Sequence, residues 1–333
     1  MNLFDLLSLG FMQRALVAAV FTGLAAPAVG TYLVQRRLSL MGDGIGHVAV
    51  TGVALGLLTG ASPTWTAVVV AALGAIVIEV VRSRGHTNGD VALALMFYGG
   101  LAGGVLLTGL GGQSTSLLQT YLFGSITTIS AADVWVTVAL TAVVIVVCVG
   151  LAPQLYAVAQ DPEFAKVAGL RVGAYNLAVA VLAAVSVTVA MRTVGLLLVS
   201  ALMVVPVATA QQVTRSFRTT LLWAMVLGIC ASVGGLLLAA YASFSANVAP
   251  GPSIVLLSLA GFAAAWPLGA WLRSRRRLRA PFAPIDAAGH DPTEHDHVHG
   301  EDCGHLAVEH NDHLDYVHGG HRHAPHGEHY DEH

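Results

Sequence analysis

Arg36-Arg-Leu-Ser-Leu-Met-Gly-Asp-Gly-Ile-Gly-His-Val-Ala-Val-Thr-Gly-Val-Ala-Leu-Gly-Leu-Leu-Thr-Gly60 decides how this chain folds. Two arginines precede an almost uniformly apolar run of about 20 residues, the length an α-helix needs to cross a hydrocarbon core of about 30 Å. Only Asp43 and His47 interrupt it. An ionisable residue inside a membrane helix costs several kcal/mol unless it is paired, so such residues mark functional sites by default.

The whole chain repeats this pattern. It is 55% hydrophobic and 11% charged, with a mean hydropathy of +0.70, whereas a soluble domain carries about 25% charged residues. Apolar stretches fall near 11–34, 38–60, 63–81, 91–110, 131–151, 174–191, 194–213, 219–240 and 253–272. The 174–213 region is nearly continuous and is open to reading as one re-entrant unit, so the fold expected is an all-α polytopic transmembrane bundle of 8–9 spans over residues 1–279. No cleavable leader is expected, because the first apolar run lacks a basic flank and a small-residue cleavage site. Arg36/Arg37, Arg82/Arg84, Lys166/Arg171, Arg215/Arg218 and the Arg273–Arg279 cluster fall on alternate loops, which the positive-inside rule makes cytoplasmic. Nine spans then put the N-terminus outside and the C-terminus inside.

From about Ala280 the composition changes to Pro, Gly, Asp, Glu and His. Residues 290–333 hold Arg322 against eleven acids, and thirteen of the fifteen histidines. Without apolar periodicity, 280–333 is expected to be a disordered cytoplasmic tail. His295, His297, His299, Cys303, His305, His310, His313, His318, His321, His323, His326 and His329 are candidate metal ligands there. Neutral imidazoles at one- to three-residue spacing suit zinc, copper or nickel, and the abundance of His with one Cys leans to zinc over manganese.

Inside the membrane, Asp43 and His47 lie four apart and so share one helix face, about 6 Å apart along the axis. Counted from Arg36/Arg37, they fall near mid-membrane. A carboxylate with an imidazole suits zinc or manganese; helix capping by Asp43 and an interhelical hydrogen bond from His47 explain the spacing equally well. One Asp and one His are half a tetrahedral shell, which a second copy at a two-fold axis would complete. Gly42/Gly46, Gly52/Gly56/Gly60, Gly99/Gly103 and Gly100/Gly104 supply small-residue spacing for close approach, between copies or within one subunit. Glu79, Asp90 and Asp133 sit near span ends, where snorkelling or capping is the usual role.

The longest cytoplasmic loop carries Asp161-Pro-Glu-Phe164 and Gly169. Asp161 suits a helix cap, Pro162 the first helical position, Glu163 the first turn, and Gly169 the stop. The spacing fits either a plain connector or a rigid docking helix. The chain has no phosphate-binding Gly-x-x-x-x-Gly-Lys-[Ser/Thr] loop, so ATP hydrolysis in this chain is excluded. No nucleophile–base constellation marks an enzyme, no basic aromatic patch marks nucleic-acid binding, and Cys148, Cys230 and Cys303 are too scattered for a disulfide framework.

Four stretches taken together resemble the permease subunits of ABC importers for zinc, manganese or iron: Arg36 to His47, Asp161-Pro-Glu-Phe-Ala with Gly169-Leu170, Val194-Gly-Leu-Leu-Leu-Val-Ser-Ala-Leu-Met-Val-Val-Pro206, and Pro252-Ser-Ile-Val. The resemblance covers roughly residues 5–275. It implies a homodimer in the cell membrane, a cytoplasmic ABC ATPase dimer docking near 159–171 through Asp161, Pro162, Glu163, Phe164 and Gly169, and an extracytoplasmic metal-binding protein. It also implies that Asp43 and His47 line the metal path. Where the family commonly reads Ala-Leu-Ser, this chain has Gly44-Ile45-Gly46. The function expected is import of a divalent transition metal, zinc as cargo and tail ligand, with no permanently bound cofactor. The alternatives are a manganese or iron importer of the same family, a secondary metal exporter, or a membrane metal sensor.

Overall fold

The computed structural model describes residues 8–83, 89–112, 121–125, 129–191, 194–244, 248–277, 303–310, 313–318, 321–326 and 329–332. Its long helices are α1 (Gly10–Gln35), α2 (Met41–Thr59), α3 (Pro63–Ser83), α4 (Gly89–Leu110) and α5 (Ala131–Gly150). Two short helices follow, α6 (Ala152–Gln160) and α7 (Pro162–Val167), then α8 (Val172–Ala190), α9 (Leu196–Val213), α10 (Phe217–Ala242) and α11 (Pro250–Arg277). Among the described residues, eight helices are long and apolar enough to cross a membrane; Leu198–Val213 of α9 is a shorter apolar stretch. The chain is thus a multi-pass membrane protein. The break between α8 and α9 falls at Gly195, whose φ of +90° suits a residue without Cβ.

Two compact units divide between Gly269 and Ala270, ten residues before the boundary expected at 279/280. In the first, α1 is central. Ala15, Ala18, Ala19, Ala25, Ala26 and Ala28 are buried, and small side chains let other helices approach from several sides. At the crossing of α1 and α10, a Cβ on Gly23 would lie 2.7 Å from the carbonyl oxygen of Gly228. The outer helices show the opposite pattern. Val69, Leu73 and Val77 of α3, Val143 and Val146 of α5, and Leu256 and Leu259 of α11 are exposed, as lipid-facing residues are. All five tryptophans (Trp65, Trp135, Trp223, Trp266 and Trp271) are exposed near the ends of α3, α5, α10 and α11. That is where an aromatic belt meets the headgroups.

Two helix-end devices hold α2 in place. At the end of α1, Leu38 N–H donates to Leu33 O at 2.8 Å and Arg37 N–H to Val34 O at 3.0 Å. This is the Schellman stop, with Arg37 at φ +58° where glycine is usual. Nearby, buried Glu79 of α3 accepts two bonds from Arg82, at 2.8 and 3.0 Å, and lies 3.9 Å from Arg36. Burial, then the neighbouring Arg82, pull the Arg36 guanidinium down to about 10, against the opposing pull of Glu79. The expected snorkelling role of Glu79 becomes that of a buried counter-ion. Asp133 caps as expected: its carboxylate accepts from Ser130 N–H at 3.0 Å, while the Ser130 hydroxyl accepts from Asp133 N–H at 3.2 Å.

The described part of the tail contains strands. Within the second unit, β1 (Leu306–His310), β2 (His313–His318), β3 (His321–His326) and β4 (His329–Glu332) form an antiparallel meander in the order β1-β2-β3-β4. The physical reason is an eight-residue repeat beginning at His310, His318 and His326, in which strand residues are separated by Asn-Asp, Gly-Gly and Gly-Glu. Asn, Asp and Gly are the residues that two-residue hairpin loops favour. The expectation for 280–302, including His295, His297 and His299, lies outside the described residues.

Candidate functional site

The α2 helix runs unbroken through Gly42, Gly44 and Gly46. Tertiary contact replaces their weak helix propensity. A Cβ on Gly46 would meet Leu196 O of α9 at 3.3 Å, and one on Gly42 would meet the Met203 sulfur at 3.0 Å. On its other side α2 receives α4. A Cβ on Gly100 would lie 2.6 Å from the His47 carbonyl carbon, and the Thr51 hydroxyl donates to Gly100 O at 2.6 Å. Gly104 packs on Val50, while Gly52 and Gly56 pack on α3 at Ala67 and Pro63. These glycine runs therefore serve packing within one subunit. Gly99 meets nothing within 4 Å.

Asp43 and His47 stand at the third and seventh positions of α2, in its first two turns, closer to the helix end than the count from Arg36/Arg37 implies. The chain spends Leu38–Leu40 on a turn before the helix begins. Asp43 lies in the first turn, where the positive end of the helix dipole favours a carboxylate. It is partly buried, and the Ser200 hydroxyl of α9 donates to its Oδ1 at a long 3.4 Å. His47 is 6% exposed, its ring centroid is 4.0 Å from that of Phe97, and its Nδ1 is buried without a hydrogen-bond partner. The interhelical hydrogen bond weighed for His47 is thus not made by Nδ1. A cavity of about 300 Å³ opens beside the pair, lined by Leu40, Asp43, Gly44, Leu93, Ala94, Phe97 and Tyr98. The site is a carboxylate, a hydroxyl and an imidazole at the edge of an apolar cleft. Among the described residues no group of three His, Cys, Asp or Glu could hold a metal, so this set remains part of a shell.

The profile of the ABC 3 transport family matches residues 8–267, which take in every helix from α1 to α10 and the whole of this site. The chain belongs to the ABC 3 transport family. It is 36% identical over 249 residues to the manganese import system permease protein ScaB of Streptococcus gordonii, covering 74% of this chain and 87% of that protein. The manganese transport system membrane protein MntC of Halalkalibacterium halodurans is 31% identical over 263 residues, covering 79% and 88%. Among solved structures, PsaBC from Streptococcus pneumoniae in complex with Fab aligns with a TM-score of 0.73 at 31% identity, covering 82% of this chain and 98% of that one.

Elsewhere in this family member, Asp161 caps α7 by accepting from Phe164 N–H at 2.9 Å, Pro162 takes the first helical position and Glu163 the first turn. Gly169, at φ +83°, closes the helix, with Leu170 N–H on Ala165 O at 2.9 Å. Phe164 and Val167 stand out of it, 66% and 88% exposed, over buried Ala165. Asp90 lies in the first turn of α4. Cys303 and His305 precede β1, and the other described tail histidines lie on the strands. Ser200 and Phe97 are site residues that sequence reasoning passed over. Ser200 was within reach, since it lies inside the Val194–Pro206 stretch that carries the family resemblance.

Proposed function

We propose that this chain is the membrane-spanning permease subunit of an ATP-driven importer of a divalent transition metal, with manganese favoured over zinc as cargo. The observation that carries the reading is the Asp43–His47 pair, on one face of α2, beside a cavity and with Ser200 on Asp43. Two oxygen donors to one nitrogen lean toward the harder ion, since carboxylate and hydroxyl oxygens suit manganese and imidazole-rich sets suit zinc. The names of the similar permeases point the same way. Zinc rested on the tail, which lies beyond the residues the family profile covers.

Because one copy supplies only part of a shell, the functional unit is a homodimer in which two such faces meet. Hydrolysis of ATP belongs to a separate cytoplasmic ATPase dimer that docks on α7 through Phe164 and Val167. The Asp161 cap and the Gly169 stop keep this helix rigid enough to transmit motion. An extracytoplasmic metal-binding protein delivers the ion, in the cell membrane, and the arginines at 273–279 keep the tail cytoplasmic. The test is uptake of Mn²⁺ and Zn²⁺ in parallel by the complex reconstituted with its ATPase and binding protein. Manganese uptake should depend on ATP and exceed zinc uptake. Faster zinc uptake overturns the cargo, and uptake without ATP overturns the importer.

A further inference from the structure

The two short helices between α5 and α8 are tied to the membrane unit through side chains, and those side chains choose one neighbour. Asp161 alone separates α6 from α7: its N–H donates to Ala157 O of α6 at 3.0 Å, and its carboxylate accepts from Phe164 N–H of α7 at 2.9 Å. The end of one helix and the start of the next are closed on the same residue, so the two turn as one piece. Along α6, Leu155 and Val158 are buried, and Tyr156 lays its ring on Phe217 at the start of α10, with centroids 4.5 Å apart. Phe217 in turn meets the buried ring of Tyr32 of α1 at 5.3 Å. The Tyr32 hydroxyl donates to Cys148 O at 2.5 Å, about one turn before α6 begins. Gln35, at the end of α1, donates to Gln160, the last residue of α6.

We propose that α1 receives the ATP-driven movement of α7, with Tyr156, Phe217 and Tyr32 as the positioning residues that pass it toward the Asp43–His47 pair. This rests on the reading of α7 as the ATPase docking helix and goes beyond it by naming the receiver. Only Arg36 to Leu40 lie between α1 and α2, and the turn there is closed at each step. Arg36 N–H donates to Tyr32 O at 3.1 Å, Leu38 N–H to Leu33 O at 2.8 Å, and Met41 N–H to Leu38 O at 2.9 Å. Asp43 follows in the first turn of α2. Arg36, 3.9 Å from buried Glu79, ties this corner to α3. A tilt of the last turn of α1 therefore swings the start of α2, because close-packed side chains transmit displacement. The other exit from α7 runs along the chain into α8. There a Cβ on Gly169 or Gly173 would meet nothing within 4 Å, so neither glycine is pressed by a neighbour. Movement is absorbed where neighbours leave room and handed on where three rings touch.

The test is ATP hydrolysis and ion uptake measured together, on the complex reconstituted with its ATPase and binding protein. Tyr156→Leu and Phe217→Leu keep apolar bulk but remove the ring contacts. Each should lower the ions taken up per ATP hydrolysed by about tenfold, with hydrolysis itself changed by less than about twofold. Retained hydrolysis shows that the variants still fold and assemble. Tyr156→Phe keeps the ring and should keep the parent ratio. Tyr241→Leu, toward the other end of α10 where that ring meets Phe244 at 6.2 Å, removes an aromatic contact outside this route and should also keep it. If uptake and hydrolysis fall together, if the ratio holds in the first two variants, or if Tyr241→Leu lowers it equally, α1 is not the receiver. Uptake by the parent complex with the ratio unchanged in every variant overturns this inference alone. A parent complex that takes up no ion with ATP overturns the permease reading, and this inference with it.

Discussion

Two regions of this chain offer metal-ligating side chains, and they are built on opposite plans. The α2 pair is embedded: Asp43 is met by Ser200 of α9, His47 by Phe97 of α4, and the backbone around His47 touches Gly100. Its chemistry depends on three helices being in place. The tail is modular, with the same eight-residue repeat on successive hairpins. The difference shows that the α2 pair depends on segments far apart in the chain, whereas the tail histidines follow a local repeat.

The comparison is easiest to break at the pair itself. Asp43→Ala and His47→Ala should each lower ATP-dependent uptake by about 10- to 100-fold, the scale on which ligand environments control metal sites. The double variant should be no worse than either single one, because the two act as a unit. Removal of residues 290–333 should leave the uptake rate close to that of the full chain. If tail removal abolishes uptake while Asp43→Ala does not, the two regions have been assigned the wrong way round.

Next in size is the loss of a buried counter-ion. Glu79→Ala strands the buried Arg36 and should destabilise the membrane unit by about 3–5 kcal/mol, read as a fall in the thermal midpoint in detergent. Asp315→Ala in the tail removes a single close contact to His313, so its cost should be nearer about 1 kcal/mol. Equal costs would erase the distinction between embedded and modular sites.

A smaller effect tests the packing around the pair. Gly100→Ala forces a Cβ against the His47 backbone and should cost about 1–3 kcal/mol and slow uptake. Gly99→Ala, one residue away and facing open space, should be neutral or stabilising by up to about 1 kcal/mol. Equal behaviour of the two would show that α4 does not press on α2 there. The smallest effect belongs to Arg37, held at φ +58°: Arg37→Gly should raise stability by up to about 1 kcal/mol with uptake retained.

Much of the membrane unit was legible because lipid imposes a simple code. Apolar runs of about 20 residues, arginines on alternate loops, and an aspartate four residues before a histidine can all be counted along the chain. Asp133 and Asp161 cap as their local sequence requires, because a cap involves only residues three apart. Glu79 bonds Arg82, only three residues on, but its burial and the second cation, Arg36 forty-three residues away, come from the fold and not from local sequence. The glycine runs were ambiguous for a similar reason, since spacing shows that close approach is possible and not which helix makes it. The strands of the tail follow an eight-residue repeat of His, Asp and Gly that carries no apolar period.

The sequence by itself determined the solvent, the spans, the pair on α2, the cap and stop of α7 and the ligand content of the tail, because each depends on composition or on residues within a few positions of one another. Only the tertiary structure decided that Ser200 and Phe97 attend the pair, that Gly100 presses on α2 while Gly99 stays open, and that Glu79 neutralises Arg36. These depend on which helices cross and which strands pair, and distant segments meet only after the whole chain has buried its small residues and paired its backbone.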